Sequence, residues 1–471
     1  MLWTIVRKEL SANLLSFRFI LVFLLCCTLI IVSTYTMRGK YDERVEEYSA
    51  AVSMHRQELA GSEGQQAIGQ VVNSGYKLDK PPTPLSVIVE GMEGAAGRFA
   101  SISVYLDPRL EGGPDIDPMF TYFGTLDMMY IVRVVLSLVA ILLTYDAISG
   151  EREQGTLKLT LSNSVARSTM LLSKCIGGYI TLLLPFLVPV LISLLILATS
   201  GSINFSGEDW IRLGFVLLAS LLYIGLFLML GLLVSSRSSR STTALMMLLF
   251  LWVVIVLAVP KVSKIVAGKL RHVPSVQEVQ AEKDAAMTQF SKEENEKSQQ
   301  HIRENLGKLS SEEVQDGIYR IMQATVVGRI RKMGQIQAEY DRKRAAQFRL
   351  AENVSRLSPA SVYTYAATGL AGTGLDRQER FLAAARAYQE GFVQYFNELM
   401  RKDMEQQWAR IKGEKVEEVK FDFDRMPALD FREASLSESW DSAMVDFLML
   451  FLLLACFFMI AYIGFIRSDV R

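Results

Sequence analysis

The stretch that decides the fold class is MLLSKCIGGYITLLLPFLVPVLISLLILAT, which runs from Met170 to Thr199. Lys174 is the single charged residue within it. A helix needs about 20 predominantly apolar residues to cross the hydrocarbon core of a bilayer. Because this stretch exceeds that requirement, it predicts a transmembrane helix.

Five further apolar stretches have the length of a span, so the sequence predicts six transmembrane helices. The first of them is longer than a signal-peptide core, and no small-x-small cleavage site follows it before Arg38, so we expect it to be retained. The predicted spans are residues 17–37, residues 128–148, three helices within residues 170–262 (170–199, 211–235 and 242–262), and residues 442–466.

Basic residues in short loops and tails indicate the orientation of the spans, because these residues collect on the cytoplasmic side. With six spans, every short basic segment falls on one face, while the short loop 201–210 on the other face has no basic residue. We therefore expect both termini, including the tail 467–471, to be cytoplasmic. Residues 1–16 have apolar residues at helical spacing, which predicts an interfacial helix or, alternatively, a helical extension of the first span.

Two long segments, residues 38–127 and residues 263–441, lie outside under this topology. The first becomes rich in Gly and Pro after a polar helical run, and Leu85–Val89 is its one predicted strand. The second predicts a helical hairpin between Val276 and Leu357. The expected fold class is mainly α: a polytopic membrane protein with six transmembrane helices plus a large, mostly helical extracytoplasmic domain.

A further helix is predicted from Asp376 to Ile411, and it carries an aromatic stripe. Two interpretations remain open for the stripe. It packs against its own domain, or it is a docking surface for an extracytoplasmic protein partner. The stripe consists of Phe381, Tyr388, Phe392, Tyr395 and Phe396.

Composition and missing motifs exclude several classes of function. The formal net charge is zero, so nothing indicates nucleic acid as a partner. The four cysteines lie in or beside apolar runs, and the three histidines have no ligand spacing, so we expect no disulfide framework and no metal site. The sequence contains no phosphate-binding P-loop and no catalytic hydrolase or metalloprotease motif, so an intramembrane enzyme is disfavoured.

The loop after the second predicted span, residues 149–169, carries the most informative motif. It begins as DAISGEREQGTLKL from Asp146 to Leu159 and continues to a basic residue and a lysine. This pattern resembles the permease subunits of the ABC-2 transporter family, although Ser164 stands where that family often has Pro. The resemblance implies a cytoplasmic coupling loop that fits a groove on an ATP-binding subunit, through Asp146, Gly150, Glu151, Arg152, Glu153, Gly155, Thr156, Leu157, Arg167 and Lys174.

The same resemblance implies the partners of the chain. They are an ABC ATP-binding subunit in two copies, which would bind ATP and Mg, and a second permease subunit, either an identical or a related chain. An extracytoplasmic protein partner and membrane lipid complete the set. This chain would have no cofactor, would not be catalytic itself, and would lie in the bacterial inner membrane.

A second motif lies before the last span and resembles an ABC-2 branch with a large extracytoplasmic insertion, described as multi-copper-enzyme-maturation or gliding-associated permease-like. It consists of Ser358, Pro359 and Ala360, followed by Gly372, Thr373 and Gly374. Ser358-Pro359 predicts a helix start, because Pro is favoured at the first helical position. We expect Val362, Tyr363, Tyr365 and Leu370 in this helix to rest on the outer membrane surface.

Two charged residues fall inside predicted spans near their outer ends, Arg133 in the second and Asp446 in the sixth. Charges within a membrane snorkel, pair or line a water-filled path. The sequence therefore predicts an Arg133–Asp446 ion pair, with independent snorkelling as the alternative.

The function that these features predict is the transmembrane subunit of an ABC transporter, coupling ATP hydrolysis in a separate chain to export or extracytoplasmic work. The alternative is a non-transporting protein that transmits mechanical force to an extracytoplasmic partner.

Overall fold

A computed structural model describes residues 2–60, 75–94, 97–103, 108–112, 126–162, 166–305, 307–308, 311–411 and 426–467. The structure is about 81% helical, and the described residues include six helices that are long and apolar enough to cross a membrane. This confirms the prediction of a mainly α, polytopic membrane protein. The predicted tail 467–471 lies outside the described residues beyond Arg467.

Thirteen helices are numbered here among the described residues, and a helix that contains a π-helical segment is counted once. The spans lie in α2, α3 with α4, α6, α7, α8 and α13. The bounds are α1 Leu2–Leu14, α2 Phe17–Ala60, α3 Met128–Tyr130 with its π segment Ile131–Leu136 and Ser137–Thr144, α4 Ser149–Glu153, α5 Thr156–Ser162, α6 Arg167–Ala198, α7 Gly207–Arg237, α8 Ser241–Trp252 with its π segment Val253–Ala258 and Val259–Leu270, α9 Val276–Asn305, α10 Ser311–Ser355, α11 Pro359–Ala371, α12 Leu375–Ile411 and α13 Leu436–Arg467.

Helix α7 is the most buried of the six spans, and it packs against α3, α11 and α13. It begins with a capping box in which Ser206 and Asp209 satisfy each other's backbone N–H groups. Its contact with α3 is close at Gly231, where a Cβ atom would lie 1.9 Å from the Oγ1 atom of Thr144. Only glycine fits between these two helices at that level.

Helix α1 is a separate helix and not an extension of α2, because the chain turns at Ser16. The Ser16 hydroxyl accepts a hydrogen bond from the Phe19 N–H at 3.2 Å and so caps α2. Helix α1 packs against α6, where a Cβ at Gly177 would lie 3.0 Å from the Cβ of Glu9. Its position in the membrane interface stays a prediction.

The polar domain, defined here as the described parts of residues 38–127 and 263–441, contains a three-stranded antiparallel sheet. The strand order is β1-β2-β3, with Tyr76 opposite Ile102. The predicted strand Leu85–Val89 is wrong: Pro84–Val87 forms a 3-10 helix instead. Pro84 fixes its own φ angle and has no N–H to donate to a strand ladder. The strands are β1 Tyr76–Asp79, β2 Phe99–Ile102 and β3 Arg109–Glu111.

The aromatic stripe of α12 packs against this sheet. Phe381, Phe392 and Phe396 are fully buried in a core that includes Leu78 and Ile102 from the strands. The interpretation of the stripe as a surface for packing within the domain is therefore correct for these residues, and their rings are not accessible to a docking partner.

The predicted hairpin consists of α9 and α10, which pack against each other. The helix that follows it, α11, begins at Pro359 as predicted, with the Ser358 hydroxyl accepting a hydrogen bond from the Ala360 N–H at 3.1 Å. However, α11 does not rest on a surface. Its residues Val362, Tyr363 and Leu370 are fully buried in the core of the span bundle, because α11 packs between α7 and α13.

Candidate functional site

The coupling motif forms two short helices joined by a sharp turn. Helix α4 ends at Glu153, and Gly155 then adopts a left-handed conformation with a φ of +75° before α5 begins at Thr156. A residue with a side chain would be strained at this angle. A Cβ at Gly155 would meet nothing within 4 Å, so backbone geometry and not crowding favours glycine here.

Arg152 ties this loop to the end of α7. Its two terminal nitrogens donate hydrogen bonds to the backbone carbonyls of Ser236 and Ser238, each at 2.9 Å. The last carbonyls of a helix have no partner within that helix, and they form its negative end. The guanidinium therefore supplies both the missing donors and the complementary charge.

Buried hydroxyls add a second contact between the loop and α7. The Ser235 Oγ accepts hydrogen bonds from the backbone N–H groups of Ile148 and Ser149, both at 3.0 Å. Ser149 and Ser235 are fully buried. Buried N–H groups are strongly destabilising when left unsatisfied, so Ser235 fixes where α4 begins.

Glu153 contacts the start of α8. Its carboxylate accepts hydrogen bonds from the Ser241 N–H at 3.2 Å and from the Ser241 hydroxyl at 3.0 Å. A carboxylate is favoured at this position because the first N–H groups of a helix are free and carry partial positive charge.

Lys174 on α6 lies at the centre of the arrangement. Its side chain is 3% exposed, and its Nζ lies 2.8 Å from Glu151 in the motif and 3.0 Å from Glu9 in α1. A buried ammonium group is tolerated only where carboxylates compensate its charge. Lys174 therefore joins α6 to α4 and to the distant helix α1.

The remaining spans are joined at the edges of this cluster. Asp146 forms a 2.7 Å ion pair with Arg18 of α2, and Arg167 donates a 2.7 Å hydrogen bond to the carbonyl of Ile466 in α13. We call the contacts of Asp146, Glu151, Arg152, Glu153, Arg167 and Lys174, with Glu9, Arg18, Ser235, Ser241 and the carbonyls of Ser236, Ser238 and Ile466, the motif network.

The motif network uses most of the predicted site residues for contacts within the chain. Leu157 is also internal, since it is fully buried. Thr156 donates a hydrogen bond to the Glu151 carbonyl at 3.2 Å. Next to the exposed Glu153, the loop presents a short exposed edge, defined here as the docking edge: Gln154, Gly155, Thr156, Lys158 and Leu159, with Leu159 67% exposed.

The structure does not bring Arg133 and Asp446 together, so the predicted pair is corrected. Asp446 is bound by Arg356, whose Nε and Nη2 atoms lie 2.6 Å and 3.0 Å from its two carboxylate oxygens. One guanidinium satisfies both oxygens, which leaves no role for a second cation. Arg133 instead donates a 3.4 Å hydrogen bond to Thr364 and stacks over Tyr130.

The second motif connects α11 to both the spans and the polar domain. The Ser358 hydroxyl donates a hydrogen bond to the carbonyl of Ile255 in the π segment of α8. At the other end, Gly372 ends α11 with a φ of +66°, and the Thr373 carbonyl accepts a hydrogen bond from Met92 at 2.9 Å. Gly374 follows directly and leads into α12.

Asp127 lies where the polar domain meets the spans. It caps α3 by accepting a hydrogen bond from the Tyr130 N–H at 2.7 Å, and it accepts another from the Glu90 N–H at 3.0 Å. Burial raises the pKa of Asp127 to about 6, against these two hydrogen bonds, which favour the charged form.

Among the described residues, no group of three or more His, Cys, Asp or Glu side chains is placed to hold a metal ion. Comparison with curated proteins gave no match. The sequence model of one family, described as ABC-2 family transporter protein, matches residues 3–470. That match covers nearly the whole chain and agrees with the six candidate spans and with the motif on the loop. The chain therefore belongs to the ABC-2 family of transporter proteins.

Proposed function

We propose that the docking edge receives a separate ATP-binding subunit and that the motif network passes its movement to the spans. The observation that carries this proposal is the set of contacts made by one loop. It is linked to α1 and α6 through Lys174, to α7 through Arg152 and to α8 through Glu153. A rigid displacement of the loop would displace all of these helices together.

The division between buried and exposed residues supports a specific mode of binding. The charged residues of the motif hold the loop in place, whereas Leu159 and Lys158 are exposed and offer an apolar and a basic contact. An interface core is depleted in charge and centred on a few apolar anchors. Leu159 is the anchor that we assign to the ATP-binding subunit.

The complete assembly that we propose has two ATP-binding subunits and a second permease subunit. ATP and Mg would be bound by the ATP-binding subunits. The chain would lie in the bacterial inner membrane with both termini and the docking edge in the cytoplasm, and the polar domain would be extracytoplasmic. The distribution of basic residues among the short loops supports this orientation.

A second candidate function, mechanical work without transport, is favoured by the continuity of α2. This helix runs for 44 residues from the first span into the polar domain, a length of about 66 Å. A helix without a break transmits displacement from one side of a membrane to the other. Reconstitution of the chain with its ATP-binding subunit separates the two functions. A transporter would move solute across the membrane without any further protein, whereas a force transmitter would need its extracytoplasmic partner to produce an effect.

The proposed docking is tested by Leu159→Glu, which places a charge in the anchor position. We expect loss of co-purification with the ATP-binding subunit and an unchanged thermal midpoint, because Leu159 is 67% exposed. Met54→Glu is the matched control, since Met54 is 51% exposed on the part of α2 that belongs to the polar domain. Co-purification of the Leu159→Glu variant at the wild-type level would refute the assignment.

A further inference from the structure

The end of α8 nearest the polar domain carries an unusual concentration of positive charge. Between Asp209 and Glu278 the sequence contains no acidic residue. Within that interval, the last turns of α8 and the residue that follows them carry four exposed basic side chains: Lys261, Lys264, Lys269 and Arg271. We call these four residues the basic collar.

None of the four collar side chains takes part in an ion pair with another described residue. Other basic residues of the polar domain do have carboxylate partners: Lys343 lies 2.7 Å from Glu339, and Arg377 lies 3.0 Å from Glu93. The positive charge of the collar has no such partner among the described residues and is therefore uncompensated.

The helix that packs beside the collar does not supply the missing carboxylates. Helix α10 reaches this region, where the Gln347 side chain donates a 2.6 Å hydrogen bond to the carbonyl of Arg271. The acidic residues on that part of α10 are already engaged, since Asp341 pairs with Arg386 and Glu352 with Arg356. Two more of its basic residues, Arg344 and Arg349, are exposed there.

Exposed apolar side chains alternate with the collar lysines. Val262 is 50% exposed, Ile265 is 60% exposed and Leu270 is 67% exposed. At helical spacing, Val262 and Ile265 lie on the same side of α8 as Lys261 and Lys269. A helix face that combines exposed aliphatic residues with lysines suits a membrane interface, where the aliphatic groups enter the acyl region and the ammonium groups reach the phosphates.

The length of α8 places the start of the collar at the level of the lipid headgroups. The helix runs for 30 residues from Ser241 to Leu270, which corresponds to about 45 Å. The hydrocarbon core is about 30 Å thick, so roughly the last ten residues extend beyond it. Lys261 and Lys264 then lie at the boundary, about 4.5 Å apart along the helix axis, close enough to contact one phosphate together.

We propose that the basic collar binds the headgroups of anionic phospholipids and so fixes the depth of α8 in the membrane. A soluble acidic protein would match the charge, but it would not account for the exposed Val262 and Ile265 beside the lysines, which suit the boundary between acyl chains and headgroups. The proposal requires only that α8 crosses the membrane, and it does not depend on which side the collar faces or on any ATP-binding subunit.

The test uses the full-length chain in detergent, titrated with phosphatidylglycerol or phosphatidylcholine, with bound lipid counted by native mass spectrometry. A basic residue near an anionic surface contributes about fivefold to binding, so neutralising three should weaken phosphatidylglycerol binding by roughly a hundredfold. The variant is Lys261→Gln with Lys264→Gln and Lys269→Gln. Added salt should weaken wild-type binding as well.

The matched control removes three lysines from the hairpin region instead, through Lys292→Gln with Lys297→Gln and Lys308→Gln. Retained phosphatidylglycerol binding in the control, with loss in the collar variant, supports the proposal. Three outcomes would overturn it: equal affinity of the wild type for both lipids, unchanged binding in the collar variant, or equal weakening in both triple variants. The last would show that net charge alone governs binding.

Discussion

Replacement of Lys174 by Met removes the charge at the centre of the motif network and keeps the length of the side chain. Glu151 and Glu9 would then face each other without a cation, and their side chains are only 23% and 18% exposed. Breaking a buried pair by removing one partner destabilises a protein by 3–5 kcal/mol. Because both carboxylates retain some contact with water, we expect about 2–3 kcal/mol here.

The assay is thermal unfolding of the purified chain in detergent, together with stimulation of the ATP-binding subunit. Lys158→Met is the matched control for the unfolding measurement, since Lys158 is an exposed lysine on the same loop, and we expect its effect on the thermal midpoint to be near zero. Adding Glu151→Gln and Glu9→Gln to the Lys174 variant should recover part of the lost stability, because no unpaired charge remains. If Lys174→Met unfolds at the same temperature as Lys158→Met, Lys174 does not hold the network together.

Three further predictions concern the spans and the polar domain. Gly231→Ala should destabilise the chain by about 1–3 kcal/mol through the clash between α7 and α3. Gly214→Ala on the same helix should not, because a Cβ there meets nothing within 4 Å. Equal thermal midpoints of the two variants would contradict the close contact of α7 with α3 at Gly231. Asp446→Asn should cost about 1.5–3 kcal/mol by removing the charged acceptor of Arg356, and unchanged unfolding would show that the pair contributes nothing. Burial raises the pKa of Asp127 from 3.8 to about 6, so the stabilising effect of its proton is fully present below about pH 4 and is lost as the pH rises through 6. The stability of the wild type relative to Asp127→Asn should therefore fall between about pH 4 and about pH 6. A difference that does not change with pH would refute this prediction.

The transmembrane architecture could be predicted because a span needs only a long apolar run, which is a local property of the sequence. The helix start at Pro359 was equally local, because serine followed by proline specifies both the cap and the first helical residue. The strand predicted at Leu85–Val89 is wrong because the apolar run there fits a strand, whereas Pro84 restricts the backbone and favours the 3-10 helix that forms.

The contacts of the candidate site could be predicted only in part. The motif marked Glu151 and Lys174, but nothing local indicated that Glu9 in α1 would complete the arrangement. The pairing of Asp446 was missed for a similar reason, since its partner Arg356 lies at the end of the hairpin and outside the predicted spans. Depth in the membrane indicates that a charge needs a partner, but it does not identify the partner.

The central claim is that an ATP-binding subunit binds the docking edge. The most direct measurement places a photo-crosslinking amino acid at Leu159 in the chain co-expressed with its ATP-binding subunit, with the same substitution at Met54 as the control. We predict a crosslinked product with the combined mass of the two subunits from position 159 and none from position 54. Absence of that product from position 159, or its formation from position 54, would contradict the claim.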